Sequence, residues 1–346
     1  MKKLSKILIP LCLSLFFLLS TACINENPPV REDNLFTKHG KLSVNGADLV
    51  DKNGDKVQLY GMSTHGIAWF SRYVKYEAFK TLRDDWNTNC IRIAMYTAEG
   101  PGYCTGTDKN KEFLKNIVKN GVDWATQLDM YVIIDWHVLN DNTASFTSRG
   151  DPNFFIEEAK LFFEEMSKLY KDKDNVLYEI CNEPNGRDVT WEVVKNYANV
   201  IIPIIRANDP DAIILVGTPT WSQDIHKALE DPLDYPNIMY SLHFYAATHK
   251  DSLRKRLDDC VTGGLPVFIN EFAICSSSGS GANDFESGSL WMEVINKHNV
   301  SFIAWNLANK EESSSVFTPD SSKTSAWADK DLTDWGKWIK AVFTSK

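Results

Sequence analysis

The sequence predicts an α/β protein in which eight parallel strands close into a (β/α)8 TIM barrel. Eight short apolar, β-prone runs recur along the chain, and segments with the 3.6-residue period of amphipathic helices lie between them. Eight such units in 346 residues favour a closed barrel over an open, doubly wound sheet. The predicted strands are residues 57–62, 90–96, 131–136, 176–182, 212–217, 238–243, 266–270 and 301–305, and the clearest predicted helices are residues 111–128, 154–170, 191–206 and 335–343.

Two short segments before the first strand, residues 41–44 and 48–51, flank the turn sequence Asn45-Gly46 and predict a small β-hairpin. We expect this N-terminal hairpin to close the bottom of the barrel. No Gly-x-Gly-x-x-Gly or Walker pattern follows the first predicted strand, which argues against a nucleotide-binding fold.

The N-terminal residues have the pattern of an export signal. Three lysines precede an apolar run from Ile7 to Leu19, and small residues then lead to Cys23. The run is shorter than the roughly 20 residues of a transmembrane helix, and its end resembles a bacterial lipoprotein box. We expect a signal peptide over residues 1–22, a lipid on Cys23, a polar linker over residues 23–38 and one barrel domain over residues 39–346. Cleavage nearby without lipidation is the alternative. Either way the protein is expected to be secreted or lipid-anchored at the bacterial cell surface.

The charge and cysteine content exclude several partner classes. The 37 basic and 46 acidic residues give a formal charge of −9, which argues against nucleic acid and anionic membrane surfaces as partners. Membrane association is expected only through the lipid, and the protein is expected to be a monomer. No zinc-binding spacing is present, and we expect no metal or other cofactor. Cys90 and Cys181 are expected to be buried thiols, whereas Cys104 and Cys275 lie in predicted loops and could pair.

Two glutamates follow apolar runs at matching places in the predicted barrel. Glu183 precedes Pro184, which cannot donate to a strand ladder, and Glu271 comes at the end of the seventh strand. The carboxyl ends of barrel strands carry the chemistry of this fold. A pair of carboxyl groups is what hydrolysis of a glycosidic bond requires. Glu179 shares a face with Glu183, but lies roughly 13 Å deeper and is interpreted as structural.

Other polar residues recur at the same predicted strand ends. His65 follows the first strand, His137 the third, His243 and Tyr245 the sixth, and Trp305 the eighth, while Arg92 lies within the second. Core packing alone does not account for this repetition. The pattern therefore predicts a site that several strands build together.

These motifs resemble glycoside hydrolase family 5, specifically its bacterial endo-β-1,4-glucanase branch, over residues 40–343. The resemblance rests on residues 59–66 (LYGMSTHG), 91–96 (IRIAMY), 132–137 (VIIDWH), 179–184 (EICNEP), 216–224 (VGTPTWSQD), 243–245 (HFY) and 304–307 (AWNL). It implies a retaining endo-β-1,4-glucanase, a cellulase that cleaves internal bonds by double displacement, with Glu183 as acid/base and Glu271 as nucleophile.

The resemblance also implies roles for further residues. Arg92 would brace the nucleophile, Asn182 would hold the sugar 2-hydroxyl, Tyr245 would donate to the nucleophile, and His137 and His243 would line the site. The positions implied to contact sugar rings are His65, Trp69, Tyr96, Trp221, Trp305, Lys310 and Glu312.

The chain departs from the family pattern around the second glutamate. Asn270, Phe272 and Ala273 stand where Ser or Thr, Trp and Gly are more usual. Another β-glycan, such as mannan, xyloglucan or mixed-linkage glucan, therefore stays open as the substrate. A catalytically silent surface glycan-binding protein is the alternative from another class, and the presence of both Glu183 and Glu271 argues against it.

Overall fold

The computed structural model describes residues 36–141 and 149–346, and within them eight strands form a closed parallel barrel preceded by a hairpin. The strands are β1 (Ser43–Asn45), β2 (Asp48–Val50), β3 (Tyr60–Thr64), β4 (Cys90–Tyr96), β5 (Tyr131–His137), β6 (Val176–Glu179), β7 (Ile214–Val216), β8 (Ile238–Tyr245), β9 (Val267–Ala273) and β10 (Ser301–Leu307). Strands β3 to β10 follow one another around the barrel in chain order, and β10 pairs with β3 to close it. The predicted fold class is confirmed.

Helices alternate with the barrel strands, and the longer ones cover the outer faces of the barrel. They are α1 (Phe36–His39), α2 (Ile67–Phe70), α3 (Tyr76–Trp86), α4 (Asp108–Gln127), α5 (Ile156–Tyr170), α6 (Trp191–Arg206), α7 (Pro219–Ser222), α8 (Ile225–Glu230), α9 (Asp251–Thr262), α10 (Phe285–Lys297) and α11 (Asp334–Thr344). The short segment α7 is not a regular helix, because Thr220 and Trp221 have left-handed backbone angles. Local sequence explains where some of the longer helices start. The Thr190 hydroxyl accepts a hydrogen bond from the Val193 backbone N–H and caps α6, and Thr333 caps α11 in the same way.

The hairpin formed by β1 and β2 closes the bottom of the barrel, as predicted. Leu42 and Leu49 are buried in one apolar cluster with barrel-interior residues such as Ile133, Leu215 and Phe268. The burial of these side chains removes apolar surface from water at roughly 25 cal/mol per Å². The barrel is therefore filled and sealed below, and its chemistry is confined to the opposite end.

All eight predicted barrel strands are present, but the bounds of seven differ from the prediction by one to three residues at one or both ends. Residues 57–59 precede β3, because the Val57 N–H bonds to Leu49 of the hairpin. Strand β6 ends at Glu179, so Glu183 lies in the loop that follows, although its N–H still bonds the Val138 carbonyl at 3.0 Å. Strand β9 continues to Ala273, which places Glu271 inside a strand.

The predicted signal peptide, the lipid site at Cys23 and most of the predicted linker lie outside the described residues. Within residues 36–141 and 149–346, no helix combines the length and apolar character needed to cross a membrane. The suggested pairing of Cys104 with Cys275 is wrong, because both are free thiols in the structure. Cys275 is fully buried, and this burial raises the pKa of its thiol to about 12.

Candidate active site

A cavity of about 600 Å³ lies at the carboxyl-terminal ends of the barrel strands. It brings together residues that are far apart in the chain, because parallel strands end at the same edge of a barrel. Among the predicted site residues, those lining it are His65, Tyr96, His137, Glu183, Trp221, His243, Tyr245, Glu271, Trp305, Lys310 and Glu312. Arg92 and Asn182 are fully buried behind this surface, and Trp69 lies beside it against Tyr96.

Glu183 and Glu271 face each other in this cavity. Their nearest carboxyl oxygens, together with a ring nitrogen of His243, lie within 4.8 Å of one another. The two glutamates have different surroundings. Glu271 accepts hydrogen bonds from the Arg92 guanidinium at 3.2 Å and from the Tyr245 hydroxyl at 2.8 Å. Both contacts stabilise a carboxylate at this position.

Glu183 has surroundings that favour its neutral, protonated form. Burial raises the pKa of Glu183 to about 8; Arg92 opposes this shift, whereas the carboxylates of Glu179 and Glu99 add to it. Its Oε1 lies 2.9 Å from Nδ1 of His243. Glu183 is therefore suited to donate a proton near neutral pH, beside a second carboxyl group that accepts hydrogen bonds from Arg92 and Tyr245.

Arg92 is fully buried and organises the floor of the site. Its Nε and Nη2 donate to the two carboxylate oxygens of Glu179, both at 2.7 Å, and Nη2 also lies 2.9 Å from Asp135. Nη2 donates to Asn182 Oδ1 at 2.6 Å as well. These contacts fix the plane of the guanidinium, so that Nη1 reaches Glu271. Glu179 thus acts next to the site through Arg92. The predicted depth of 13 Å assumed a strand that continues to Glu183, but β6 ends at Glu179.

Asp135 is a site residue to which sequence reasoning gave no role. Its Oδ2 lies 2.6 Å from His137 Nδ1, and burial raises the pKa of Asp135 to about 8, with Arg92 opposing and Glu271 adding to the shift. Burial lowers the pKa of His137 to about 3, so the ring is neutral. Asn182 Nδ2 donates to His137 Nε2 at 3.3 Å, which places the ring proton on Nδ1.

Stacked rings form one wall of the cavity. The centroids of Tyr96 and His137 are 4.0 Å apart, and Trp305 stacks on His137 at 5.4 Å. Flat rings of this kind pack against the C–H faces of pyranose units. At the edge of this wall Lys310 forms an ion pair of 2.5 Å with Glu312, whose carboxylate also accepts from Asn306 at 2.9 Å.

Trp221 also lines the cavity and is held on a left-handed turn. Thr220, Trp221 and Ser222 have φ angles of 59°, 54° and 55°, which is strained for residues with a Cβ. Two bonds hold the turn against the loop that carries Glu183. The Trp221 N–H donates to the Pro184 carbonyl at 3.1 Å, and the Ser222 hydroxyl donates to the Asn182 carbonyl at 2.6 Å. The indole is 38% exposed and faces solvent beside the cavity that it lines.

Sequence reasoning missed several lining residues on the loops. His249 accepts a hydrogen bond at Nδ1 from the Tyr245 N–H at 2.9 Å, so its proton is on Nε2, and burial lowers its pKa to about 4. The sequence signal that could have identified His249 as a site residue is its position four residues after Tyr245. The loop after β9 contributes Ser277, Ser278 and Gly279, which follow no periodic pattern.

One group among the described residues has the composition of a metal site, namely Glu183, His243 and Glu271. These atoms already have partners, since Glu271 bonds Arg92 and Tyr245 while Glu183 bonds His243. The guanidinium of Arg92, 3.2 Å from Glu271, repels a cation. We therefore interpret the group as a hydrogen-bond network.

Comparison with known proteins agrees with this geometry. The family model for cellulase, glycosyl hydrolase family 5, matches residues 50–311. Endoglucanase A of Butyrivibrio fibrisolvens is 47% identical over 320 residues, covering 91% of this chain and 72% of the relative. An endoglucanase of Clostridium saccharobutylicum is 45% identical over 301 residues, covering 87% of this chain and 64% of the relative. Several relatives are therefore longer, and this chain spans as little as 57% of one from Pectobacterium carotovorum.

Solved structures show the same architecture. The cellulase Cel5C_n superposes with a TM-score of 0.85 at 42% identity, covering 90% of this chain and 94% of that one. The catalytic domain of a Thermobifida fusca endoglucanase, in complex with cellotetraose, superposes with a TM-score of 0.82 at 35% identity, covering 89% and 99% of the two chains.

A closed (β/α)8 barrel with two facing glutamates and stacked rings at its carboxyl end defines a class of enzyme, the glycoside hydrolases. Within that class the chain belongs to glycosyl hydrolase family 5, the cellulase family, as the match over residues 50–311 and the 47% identity to an endoglucanase show.

Proposed function

We propose that this protein is a retaining endo-β-1,4-glucanase. The observation that carries the proposal is the pair Glu183 and Glu271, with carboxyl oxygens within 4.8 Å in a ring-lined cavity. Retaining enzymes have carboxyl groups about 5–5.5 Å apart, whereas inverting enzymes need roughly 6.5–9.5 Å to admit a water. The short separation supports double displacement.

In the first step Glu271 attacks the anomeric carbon while Glu183 gives its proton to the leaving glycosidic oxygen. Arg92 and Tyr245 hold the attacking carboxylate, and the burial of Glu183 keeps its proton available near neutral pH. In the second step Glu183, now ionised, takes a proton from water as that water cleaves the glycosyl ester on Glu271. Glu183 is then protonated again and Glu271 is free.

Aromatic residues line the cavity beside both glutamates, and we infer that they bind sugars on either side of the cleaved bond. Trp221 is bonded to the loop of the acid Glu183, so we assign it to the side of the leaving group. We assign the ring-lined wall, formed by Tyr96, His137 and Trp305 with Lys310 and Glu312, to the glycone sugars. We propose that Asn182, bonded to Arg92, is oriented there for the sugar hydroxyl that the family resemblance implies.

Several relatives are named endoglucanases, which supports β-1,4-glucan as the substrate. The test is release of reducing ends from soluble cellulose, mannan, xyloglucan and mixed-linkage glucan. We expect the highest kcat/KM on soluble cellulose, with a rapid fall in viscosity that marks internal cleavage. Glu271→Ala is the matched inactive control. A higher kcat/KM on mannan or xyloglucan would contradict the substrate assignment. Binding without turnover by the wild type would indicate a glycan-binding protein.

We also propose that the mature protein is exported and tethered by a lipid on Cys23, as its N-terminal pattern predicts. Metabolic labelling with a palmitate analogue tests this. Label is expected in the wild type and absent from Cys23→Ala; label in both would contradict the tether.

A further inference from the structure

Strand β9 contains one more residue than either neighbour at the position of Asn270. Against β8, Ser241 pairs with Phe268 and His243 with Glu271, so three steps along β9 match two steps along β8. Against β10, Phe302 pairs with Ile269 and Ala304 with Phe272, which again gives three steps along β9 for two along its neighbour. An extra residue of this kind is a β-bulge, which redirects side chains. It explains how the consecutive residues Asn270 and Glu271 both contact site residues.

The bulge places the Asn270 amide against His243. Its Oδ1 lies 3.2 Å from His243 Nε2, while His243 Nδ1 lies 2.9 Å from Glu183 Oε1. Burial lowers the pKa of His243 to about 4, so the ring is neutral near pH 7 and carries one proton. An amide oxygen can only accept a hydrogen bond, so that proton is on Nε2. Nδ1 is then an acceptor and its partner must donate.

Resting on the proposed role of Glu183 as the acid, we propose that Asn270 is a positioning residue that selects the Nε2–H tautomer of His243 and thereby keeps the transferable proton on Glu183. A protonated Glu183 donates to the bare Nδ1. An ionised Glu183 would instead face a nitrogen lone pair, which raises the free energy of the ionised form. The effect of Asn270 therefore reaches the acid through one imidazole ring.

The other groups around this pair act in known directions. Arg92 opposes protonation of Glu183, whereas the carboxylates of Glu179 and Glu99 favour it. The titratable and charged groups that face the pair are Arg92, Tyr96, Glu99, Asp135, His137, Glu179, Tyr245 and Glu271. The amide of Asn270 is the contact that discriminates between the nitrogens.

The first test is the tautomer itself, measured by ¹⁵N NMR on the full protein labelled at its seven histidines. The His243 signals are assigned by their loss in His243→Gln. We expect Nε2 protonated and Nδ1 unprotonated at pH 6 to 7 in the wild type. A proton on Nδ1 would overturn the proposal, and this measurement needs neither substrate nor a variant at position 270.

The second test uses Asn270→Ala and Asn270→Ser. Without the amide oxygen, His243 can hold its proton on Nδ1 and donate to an ionised Glu183, so the alkaline limb of kcat/KM should move down by about half a pH unit to one unit. The value of kcat/KM on an aryl glycoside with a good leaving group should change less than twofold, because departure of such a leaving group in the first step needs no proton from Glu183. If Asn270→Ala does not fold, Asn270→Ser, which retains a polar side chain at this position, is used in its place.

Asn175→Ala is the matched control, since Asn175 is a buried asparagine that bonds Met130 and Thr126 away from the site. It should lower stability and leave the pH profile in place. An unchanged His243 tautomer and alkaline limb in both Asn270 variants would overturn the proposal. If instead Glu183→Gln keeps the alkaline limb, the acid assignment itself fails, and the NMR result still decides the tautomer.

Discussion

Arg92 and Glu179 are joined by two hydrogen bonds of 2.7 Å and are both fully buried beneath the paired glutamates. Asp135 lies 2.9 Å from the same guanidinium and Glu271 lies 3.2 Å from it. One buried cation therefore serves three carboxyl groups. Removal of one member of such a cluster leaves the others uncompensated.

We predict that Arg92→Met abolishes turnover and lowers the free energy of unfolding by about 3–5 kcal/mol. The loss should be larger at pH 8 than at pH 5. Burial raises the pKa of Asp135 to about 8 and raises that of Glu179, so both carboxyl groups bind protons more strongly in the folded state than in the unfolded chain. A carboxyl group whose pKa is higher in the folded state than in the unfolded chain destabilises the folded state at pH values above its unfolded-state pKa. Arg92 reduces this destabilisation in the wild type. Urea unfolding at both pH values measures the difference.

Lys255→Met is the control for this prediction, because Lys255 pairs with Asp259 on an exposed helix face. Its stability should not change measurably at either pH. An equal loss for Arg92→Met at pH 5 and pH 8 would show that the carboxyl groups are not the source of the effect.

Retention of configuration is the second prediction. The first product released from a β-linked oligosaccharide should be the β-anomer, because two inversions at the same carbon restore the original configuration. NMR recorded before mutarotation detects it. Glu271→Ala should recover activity with azide on an α-glycosyl fluoride, giving the β-azide. Appearance of the α-anomer before mutarotation would contradict both the two-step mechanism and the role of Glu271 as nucleophile.

The third prediction concerns the alkaline limb of the pH profile. Because Glu183 must be protonated to act as an acid and its pKa is raised to about 8, kcat/KM should fall as the pH rises through about 8. On a substrate with a good leaving group, Glu183→Gln should keep its first step and lose this limb. A limb that persists unaltered in that variant would assign the acid to another group.

The barrel, the hairpin and the two glutamates could be predicted from the sequence because each has a local signal. The boundaries of α6 were predicted to the residue, since Thr190 caps an amphipathic run. The contact of Arg92 with Glu271 was implied by the family resemblance alone. Its contacts with Asp135 and Glu179 were not predicted, because the closeness of these two carboxyl groups depends on the register between β5 and β6. Alternation also cannot reveal the bulge at Asn270, since one extra residue exchanges the two faces of a strand.

The fourth prediction is that Trp221→Ala lowers kcat/KM on long β-1,4-gluco-oligosaccharides roughly tenfold, corresponding to the loss of about 1.4 kcal/mol of ring contact. Trp221→Phe should lose less. Both variants should act normally on an aryl β-cellobioside, whose leaving group is too small to reach the indole. Steady-state kinetics on the two substrates decide this. An equal loss on both would indicate a disturbed Glu183 loop, since the Trp221 N–H bonds Pro184.

The fifth prediction is that chelation leaves the rate unchanged. Glu183 and Glu271 can carry out both steps without a metal ion. Dialysis against EDTA, followed by assay with and without added divalent ions, is the measurement. A large loss of hydrolysis rate that one divalent ion restores would instead indicate that the imidazoles of His65, His137 and His243 bind this ion.

The sealed floor of the barrel has a consequence for engineering. Leu42 and Leu49 fill the end opposite the site, so residues 220–223 and 276–281 take no part in that packing. Loops from other family members can be grafted at these two places without redesigning the interior. One requirement limits the first graft: position 222 must keep a hydroxyl, because Ser222 is what ties the loop to the backbone of Asn182. Libraries built on this chain should therefore randomise the two loops and leave Ser222 fixed.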